Sequence, residues 1–404
     1  MQENGIGRIA VYAGVAAAYF LIAFEILFMI LPFAVFFYSV YAPILNFLSS
    51  NPVTGWSTEF FLPHMVFSRD PLILGISYLQ VLFIIGLVMF LIAAIPLYYT
   101  KIFKRHMAAR GLYSYIRHPQ YLALGISGFG LLLYWPRFII LIFYVTMLFV
   151  YYLLARNEEW RMKRQFGISY MEYMNTTPMF LPGEPGGKIY RATFGRITSG
   201  WQGLAIFYAV TLVFFISTAL WLRAYSAATI PKFTAGEMTV IPAFERPEAE
   251  VLQVYRTALS NRRVQRAFDS DMNLVYILPG DFFLTAILTE EPRKFSKDII
   301  ELFPEVLEWH QHKFGGTIGD FFKIFYNFVD THGARETDYD VERLIFVSAK
   351  TRKGKTVGQK DVLDIGLVRS AALLVDIDAD TRKVLAVKKL TGLHKWGTIP
   401  MPVF

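Results

Sequence analysis

Residues 119–160 read PQYLALGISGFGLLLYWPRFIILIFYVTMLFVYYLLARNEEW. From Tyr121 to Ala155 the stretch is apolar except at Tyr134-Trp135-Pro136-Arg137. A membrane-spanning helix needs about 20 mostly apolar residues, so this run is too long for one crossing and carries a breaker near its middle. Proline does not continue a helix interior. The stretch therefore predicts two antiparallel membrane helices joined by a tight turn. Such a hairpin must bring its open ends together. Arg117 and His118 on one arm and Glu158 and Glu159 on the other, about 40 positions apart in sequence, become neighbours.

Further spans lie on both sides. Leu74–Tyr99 and Trp201–Leu222 each suffice for one crossing. Ile9–Leu48 would be roughly 60 Å long as one helix. It reads as a span from Ile9 to about Ile30, then a second piece bent at Pro32 and Pro43 that is interfacial or spanning. The expectation is an α-helical polytopic membrane domain of about five spans with a hairpin core. No basic n-region and small-residue cleavage site marks a signal peptide. Glu25, inside the first span, is costly in lipid; it reads equally as a functional group or as a partner for another helix.

The composition agrees and divides the chain. Of 404 residues, 54% are hydrophobic and only 18% charged, against about 25% charged in an ordinary soluble domain. Mean hydropathy is +0.39. These values exclude intrinsic disorder and a purely soluble enzyme. Residues 1–225 hold 16 Lys and Arg against 8 Asp and Glu, while residues 226–404 hold 24 of each. The whole net charge of +8 thus belongs to the apolar half, where membrane topology explains it without nucleic acid. The absence of cysteine excludes disulfides and thiolate metal sites, and suits an oxidising compartment.

Orientation follows the Lys and Arg of short loops. Lys101, Lys104, Arg105, Arg110 and Arg117 follow the second span; Arg156, Arg161, Lys163 and Arg164 follow the hairpin, then Lys188, Arg191 and Arg196. Both loops are basic and are placed in the cytoplasm. Residues 49–73 carry Arg69 against Glu59 and Asp70, which suits the outside. Trp201–Leu222 then leads out. This places residues 226–404 outside the cytoplasm of a plasma (inner) membrane protein.

From Phe233 onward the composition is that of a soluble domain, and an α+β fold is expected. Val251–Phe268 and Ser296–His312 have helical periodicity. Arg343–Ala349, Ala372–Asp378 and Lys383–Lys388 alternate like strands, with Asp378-Ala379-Asp380-Thr381 as a hairpin turn. His310 and His312 fall on different faces of a helix, so no metal pair is assigned. Gly315–Gly319 lacks the Lys-Ser/Thr of a phosphate loop and reads as a turn. Asp376, Asp378 and Asp380 lack the glycine and bidentate glutamate of a calcium loop, and read as a strand end with a solvated turn. Lys350–Lys360 reads as a charged hairpin loop.

The segment that carries chemistry is Gly111-Leu112-Tyr113-Ser114-Tyr115-Ile116-Arg117-His118-Pro119-Gln120-Tyr121. After the hairpin come Glu158-Glu159, Phe166-Gly167, Tyr170 and Tyr173. Pro119 suits the first turn of a helix, where its missing N–H costs nothing. Gly125, Gly128 and Gly130 let neighbouring helices approach closely. A site with Arg, His, Tyr and two carboxylates suits an amphiphilic ligand with an amino acid head. Carboxylates hold an ammonium, and His or Arg holds a carboxylate. Tyrosine faces also favour a sulfonium cation.

Gly-x-Tyr-x-x-x-Arg-His-Pro-x-Tyr, a membrane hairpin, Glu-Glu, Phe-Gly-x-x-Tyr-x-x-Tyr and a final Leu181-Pro182 together resemble the isoprenylcysteine carboxyl methyltransferase and phospholipid methyltransferase superfamily. The resemblance covers residues 74–182. It implies S-adenosylmethionine bound between short membrane helices and a cytosolic cap. By similarity, His118, Pro119 and Tyr121 line the cofactor pocket and Glu158 or Glu159 holds its amino group. Arg117 orients the cofactor or an acidic substrate; Arg117 and Glu159 are the catalytic candidates. The implied acceptor is a membrane lipid or lipidated substrate. The carboxyl methyltransferases carry an arginine shortly before the paired glutamates; here the register gives Leu154 or Ala155, with Arg156 nearest. The pattern offers nothing for residues 226–404. This leaves an alternative: a non-catalytic membrane subunit whose outer domain docks a protein partner.

Overall fold

The computed structural model describes residues 12–14, 16–17, 20, 42–64, 66, 68–99, 111–193, 200–244, 246–280 and 341–390. Their helices are α1 (Ala42–Ser50), α2 (Pro71–Tyr78), α3 (Leu82–Tyr99), α4 (Pro119–Tyr134) and α5 (Phe138–Phe166). They continue with α6 (Ile168–Thr176), α7 (Pro185–Thr193), α8 (Trp201–Thr229), α9 (Glu248–Ser260) and α10 (Arg262–Ala267). The strands are β1 (Phe233–Ala235), β2 (Met238–Pro242), β3 (Leu274–Pro279), β4 (Val341–Lys350), β5 (Val368–Asp378) and β6 (Val384–Lys389). Contacts define two units. Gly75–Trp221 falls in the first. The described residues up to Leu74 from Ala42, and those from Leu222 on, fall in the second.

Asp70 caps α2, accepting from the backbone N–H of Leu72 and Ile73 at 3.0 and 3.1 Å, and Pro71 takes the first helical position. A 3₁₀ turn, Leu79–Val81, carries α2 into α3. Among the described residues, three helical runs are long and apolar enough to cross a membrane: Pro71–Leu97, Phe138–Phe166 and Trp201–Thr229. The sequence reading of about five spans differs for two identifiable reasons. The expected first span lies mostly outside the described residues, as does Glu25. The other reason is α4, whose 16 residues make about 24 Å, short of a hydrocarbon core of about 30 Å.

The hairpin forms as its sequence requires. α4 stops at Tyr134, α5 starts at Phe138, and the Arg137 N–H donates to the Trp135 carbonyl at 2.7 Å. Tyr144 Oη donates to the Gly125 carbonyl at 3.1 Å, and the Tyr121 and Tyr151 rings stack at 5.2 Å. α3 lies against α4 backbone to backbone. A Cβ on Gly86 would meet the backbone of Ala123 and Ser127, and one on Gly130 the backbone of Leu82 and Phe83. Ser127 Oγ donates to the Phe83 carbonyl at 3.1 Å across this contact. Ile85, Val88, Ile92 and Ile95 of α3, and Val210, Val213 and Phe214 of α8, are exposed, a surface that lipid rather than water satisfies.

In the second unit the strands lie in the order β1-β2-β3-β4-β5-β6. All neighbours are antiparallel except β2 and β3, which the helices α9 and α10 connect as a parallel crossover. Alternation assigns the faces. Val240, Val275, Ile277, Leu344 and Phe346 pack with Val251, Val254 and Val264 of the helices. Ile241, Leu274, Tyr276, Ile345 and Val347 pack with Val66, Ile230, Val362 and Leu363. The second unit therefore buries both faces of its sheet.

The three expected strands are present as β4, β5 and β6, and the turn after Asp378 holds, with Asp378 Oδ1 accepting from Thr381 N and Oγ1 at 2.6 and 2.8 Å. The expected helix Val251–Phe268 divides at Asn261, whose side chain accepts from the Arg263 N–H at 2.8 Å and caps a new helix. Asp376 pairs with Arg343 through two bonds of 2.7 and 3.0 Å, so it does not converge with Asp378 and Asp380. Ser296–His312 and Gly315–Gly319 lie outside the described residues, as do Lys101–Arg110 and Arg196. β1, β2 and β3 have no counterpart in the sequence reading.

Residues 59–70 are bound to this unit. Glu59 lies 3.2 Å from Arg369 and 3.8 Å from Arg223, near the end of α8. Arg223 also donates to the carbonyls of Phe60 and of Leu363, the latter at 2.7 Å. Tyr225 Oη donates to Asp70 at 2.8 Å.

Candidate active site

The site is built at the open end of the α4–α5 hairpin. Sixteen residues of α4 reach back from the turn to Pro119, level with the last apolar turn of α5. Arg117 and His118 just precede α4, while Glu158 and Glu159 continue α5 beyond its apolar part. Arg117 Nε donates to Glu159 Oε1 at 2.7 Å, and Tyr121 Oη donates to Glu158 Oε1 at 2.8 Å. His118 stands between the carboxylates, with Nδ1 3.6 Å from Glu158 and Nε2 3.5 Å from Glu159. These separations are long for hydrogen bonds but short for charge attraction. Neither ring nitrogen has a hydrogen-bond partner among the described residues, although His118 is only 4% exposed. Burial opposes its protonation; Glu158 and Glu159 outweigh that and raise its pKa above the ordinary value.

The Arg117 guanidinium is fully engaged. Nη1 donates to the Met174 carbonyl at 2.9 Å and to that of Thr177, and Nη2 lies 3.7 Å from Glu184. It binds the start of α4 to α5, to the last turn of α6 and to the segment after it. Glu159 is buried against it, whereas the Glu158 side chain is 28% exposed. The two adjacent acids thus occupy different environments. Tyr121 is buried with Tyr151, Leu154, Ala155 and Met179. Pro119 is buried at the first position of α4. Arg156 is exposed, and its guanidinium donates to Tyr152 Oη at 3.2 Å.

Tyr170 and Tyr173, on α6, line the same region. Burial raises both pKa values, that of Tyr173 to about 12, so both hydroxyls are neutral at physiological pH. Tyr173 Oη donates to the Tyr113 carbonyl at 2.5 Å. The structure also adds a residue absent from the sequence reading. Glu184 accepts from the Met179 N–H at 2.9 Å and faces Arg117. Its signal in the sequence was a lone acid enclosed by Leu-Pro-Gly and Pro-Gly-Gly.

The arrangement holds a buried imidazole between two carboxylates, one of them partly exposed, beside stacked tyrosines. Its two carboxylates can hold a cationic group. The model of the phospholipid methyltransferase family matches residues 71–169, less than half of the chain. Neither a curated protein nor a solved structure matches significantly. The superfamily resemblance carried by the motifs is borne out over those residues, and with the apolar helices it supports a membrane methyltransferase. The match ends before Tyr170, Tyr173 and Leu181-Pro182.

Proposed function

We propose that the chain is an integral membrane S-adenosylmethionine-dependent methyltransferase that acts on a lipid-like acceptor at the cytoplasmic membrane face. The observation that carries this reading is the buried His118 imidazole, held between Glu158 and Glu159 and with no hydrogen-bond partner at its ring nitrogens among the described residues. The donor set fits the cofactor's head: Glu158 would hold the ammonium, and protonated His118 the carboxylate. Tyr121 orients Glu158 through its hydroxyl. Arg117 and Glu159 neutralise each other and hold the walls together, so their contribution is placement. S-adenosylmethionine supplies an electrophilic methyl group on sulfur. The chain's own residues position the reactants and exclude water.

The topology proposed with this function puts the hairpin's polar end in the cytoplasm and the sheet domain outside. Its support is the ion pairing of Glu59 with Arg223 and Arg369, which ties the loop before α2 to the end of α8 and to the sheet. Basic residues at the other ends of these helices favour the cytoplasm.

The test is binding of labelled S-adenosylmethionine to the purified protein in detergent. Wild type binds, while Glu158→Gln and His118→Ala weaken binding about tenfold or more, about 1.4 kcal/mol. No binding by folded wild type at millimolar cofactor rejects the reading. The alternative of a non-catalytic subunit predicts a stoichiometric partner on purification and no cellular effect of those two variants.

A further inference from the structure

The segment Thr177–Glu184 runs back across the start of α4. The Arg117 and His118 N–H groups donate to the carbonyls of Pro178 and Met179 at 2.9 and 3.1 Å. Arg117 reaches the Met174 and Thr177 carbonyls, and the Phe180 ring lies 5.9 Å from the His118 ring. Met179 is buried among Tyr121, Tyr151, Leu154 and Ala155. The strap thus forms one wall around His118. What ends it is unusual. Glu184 has φ +45°, directly after Gly183 at φ +75°. A left-handed backbone is easy for glycine and costly for glutamate. Glycine at this position would remove the strain. Glutamate instead carries a carboxylate whose Oε1 accepts from the Met179 N–H and faces Arg117. Strain held in place by specific contacts marks a position with a task.

We propose that Glu184 is a positioning residue: by accepting from Met179 within the Thr177–Glu184 strap, its carboxyl oxygen fixes the strap's shape, so that Pro178 and Met179 stay bonded to Arg117 and His118 and the candidate site is closed against water. This rests on the methyltransferase reading for the chemistry behind the strap. It adds a residue beyond the matched region 71–169.

The experiment is hydrogen exchange on the full-length protein in detergent, for wild type, Glu184→Gln, Glu184→Ala and Glu184→Gly, with thermal unfolding measured in parallel. Glutamine retains an oxygen acceptor, so its strap amides exchange like wild type. In Glu184→Ala and Glu184→Gly the Met179 and His118 amides exchange about tenfold faster or more, while α4 and α5 interiors do not change. Glu184→Gly, relieved of the positive φ, keeps the wild-type unfolding temperature, which a merely structural loss would lower. Unchanged strap exchange in Glu184→Ala, acceleration spread through α4 and α5, or a glutamine variant as fast as alanine overturns the proposal. Labelled S-adenosylmethionine added to each sample reads the other premise. A wild type that binds none overturns the methyltransferase reading, while the cofactor-free exchange still decides the strap.

Discussion

Arg117 and Glu159, 42 residues apart, meet at 2.7 Å with both side chains only 7% exposed. The pair closes the open end of a hairpin whose other end is a covalent turn. Removing one partner of such a buried pair leaves the other charge with only a longer ionic contact, Glu184 at 3.7 Å from Arg117 or His118 at 3.5 Å from Glu159. Arg117→Met and Glu159→Leu should each cost about 3–5 kcal/mol of stability. The double variant should cost much less than the sum. Thermal unfolding in detergent across the double-mutant cycle measures the coupling; additive losses would show that the contact does not form.

His118 gives a pH dependence with a definite sign. Its folded pKa is raised from the model-peptide value of 6.5, against burial, by Glu158 and Glu159. A raised histidine pKa means that the folded state binds the proton more tightly. Its stabilisation is complete below the unfolded value and disappears as pH rises through the folded value. Wild type should therefore lose stability relative to His118→Gln as pH climbs from below about 6.5 to above the folded pKa. Unfolding temperatures of both proteins over that range decide this. A difference that does not vary with pH would refute it.

The glycines of α4 separate into hard and soft contacts. A Cβ on Gly130 meets the backbone of Leu82 and Phe83, whereas one on Gly128 meets the flexible Met147 side chain first. Gly130→Ala must push α3 away and should cost about 1–3 kcal/mol. Gly128→Ala should be tolerated with a small loss, since Met147 can change rotamer. Yield and unfolding temperature of the two variants should differ in that order.

The chain contains no cysteine, so a single introduced thiol reports its side of the membrane. Val53, 77% exposed, belongs to the same unit as the sheet, and Lys163 lies on α5 past the site. Val53→Cys should react with a membrane-impermeant maleimide in intact cells. Lys163→Cys should react only after permeabilisation. Labelling of both from the same side would refute the proposed topology.

Much of the membrane core was legible because lipid imposes simple rules. Trp135-Pro136-Arg137 had to end a helix, and a tight turn had to bring Arg117 near Glu159. The meeting of the α4 and α5 ends therefore followed from hydrophobic length and the position of the breaker. The second unit was less legible. β2 and β3 are buried on both faces, so their runs MTVIP and LVYILP lack the alternation that exposes an edge strand. Asn261 was concealed within a helical period because its side chain, a local competitor for backbone N–H, decides the break.

Hydrophobic length and proline chemistry are enough to specify the hairpin and its breaker, and the residue types at its mouth are read directly from residues 117–121 and 158–159. Packing, by contrast, sets which of Glu158 and Glu159 is buried. Helix rotation turns Glu159 inward to Arg117 and leaves Glu158 partly exposed beside Tyr121. Tertiary structure also decides that Glu184 reaches Met179 and faces Arg117. Adjacent residues on a helix differ in direction by about 100°. Which direction is buried depends on neighbouring elements, and no local pattern of residues records that.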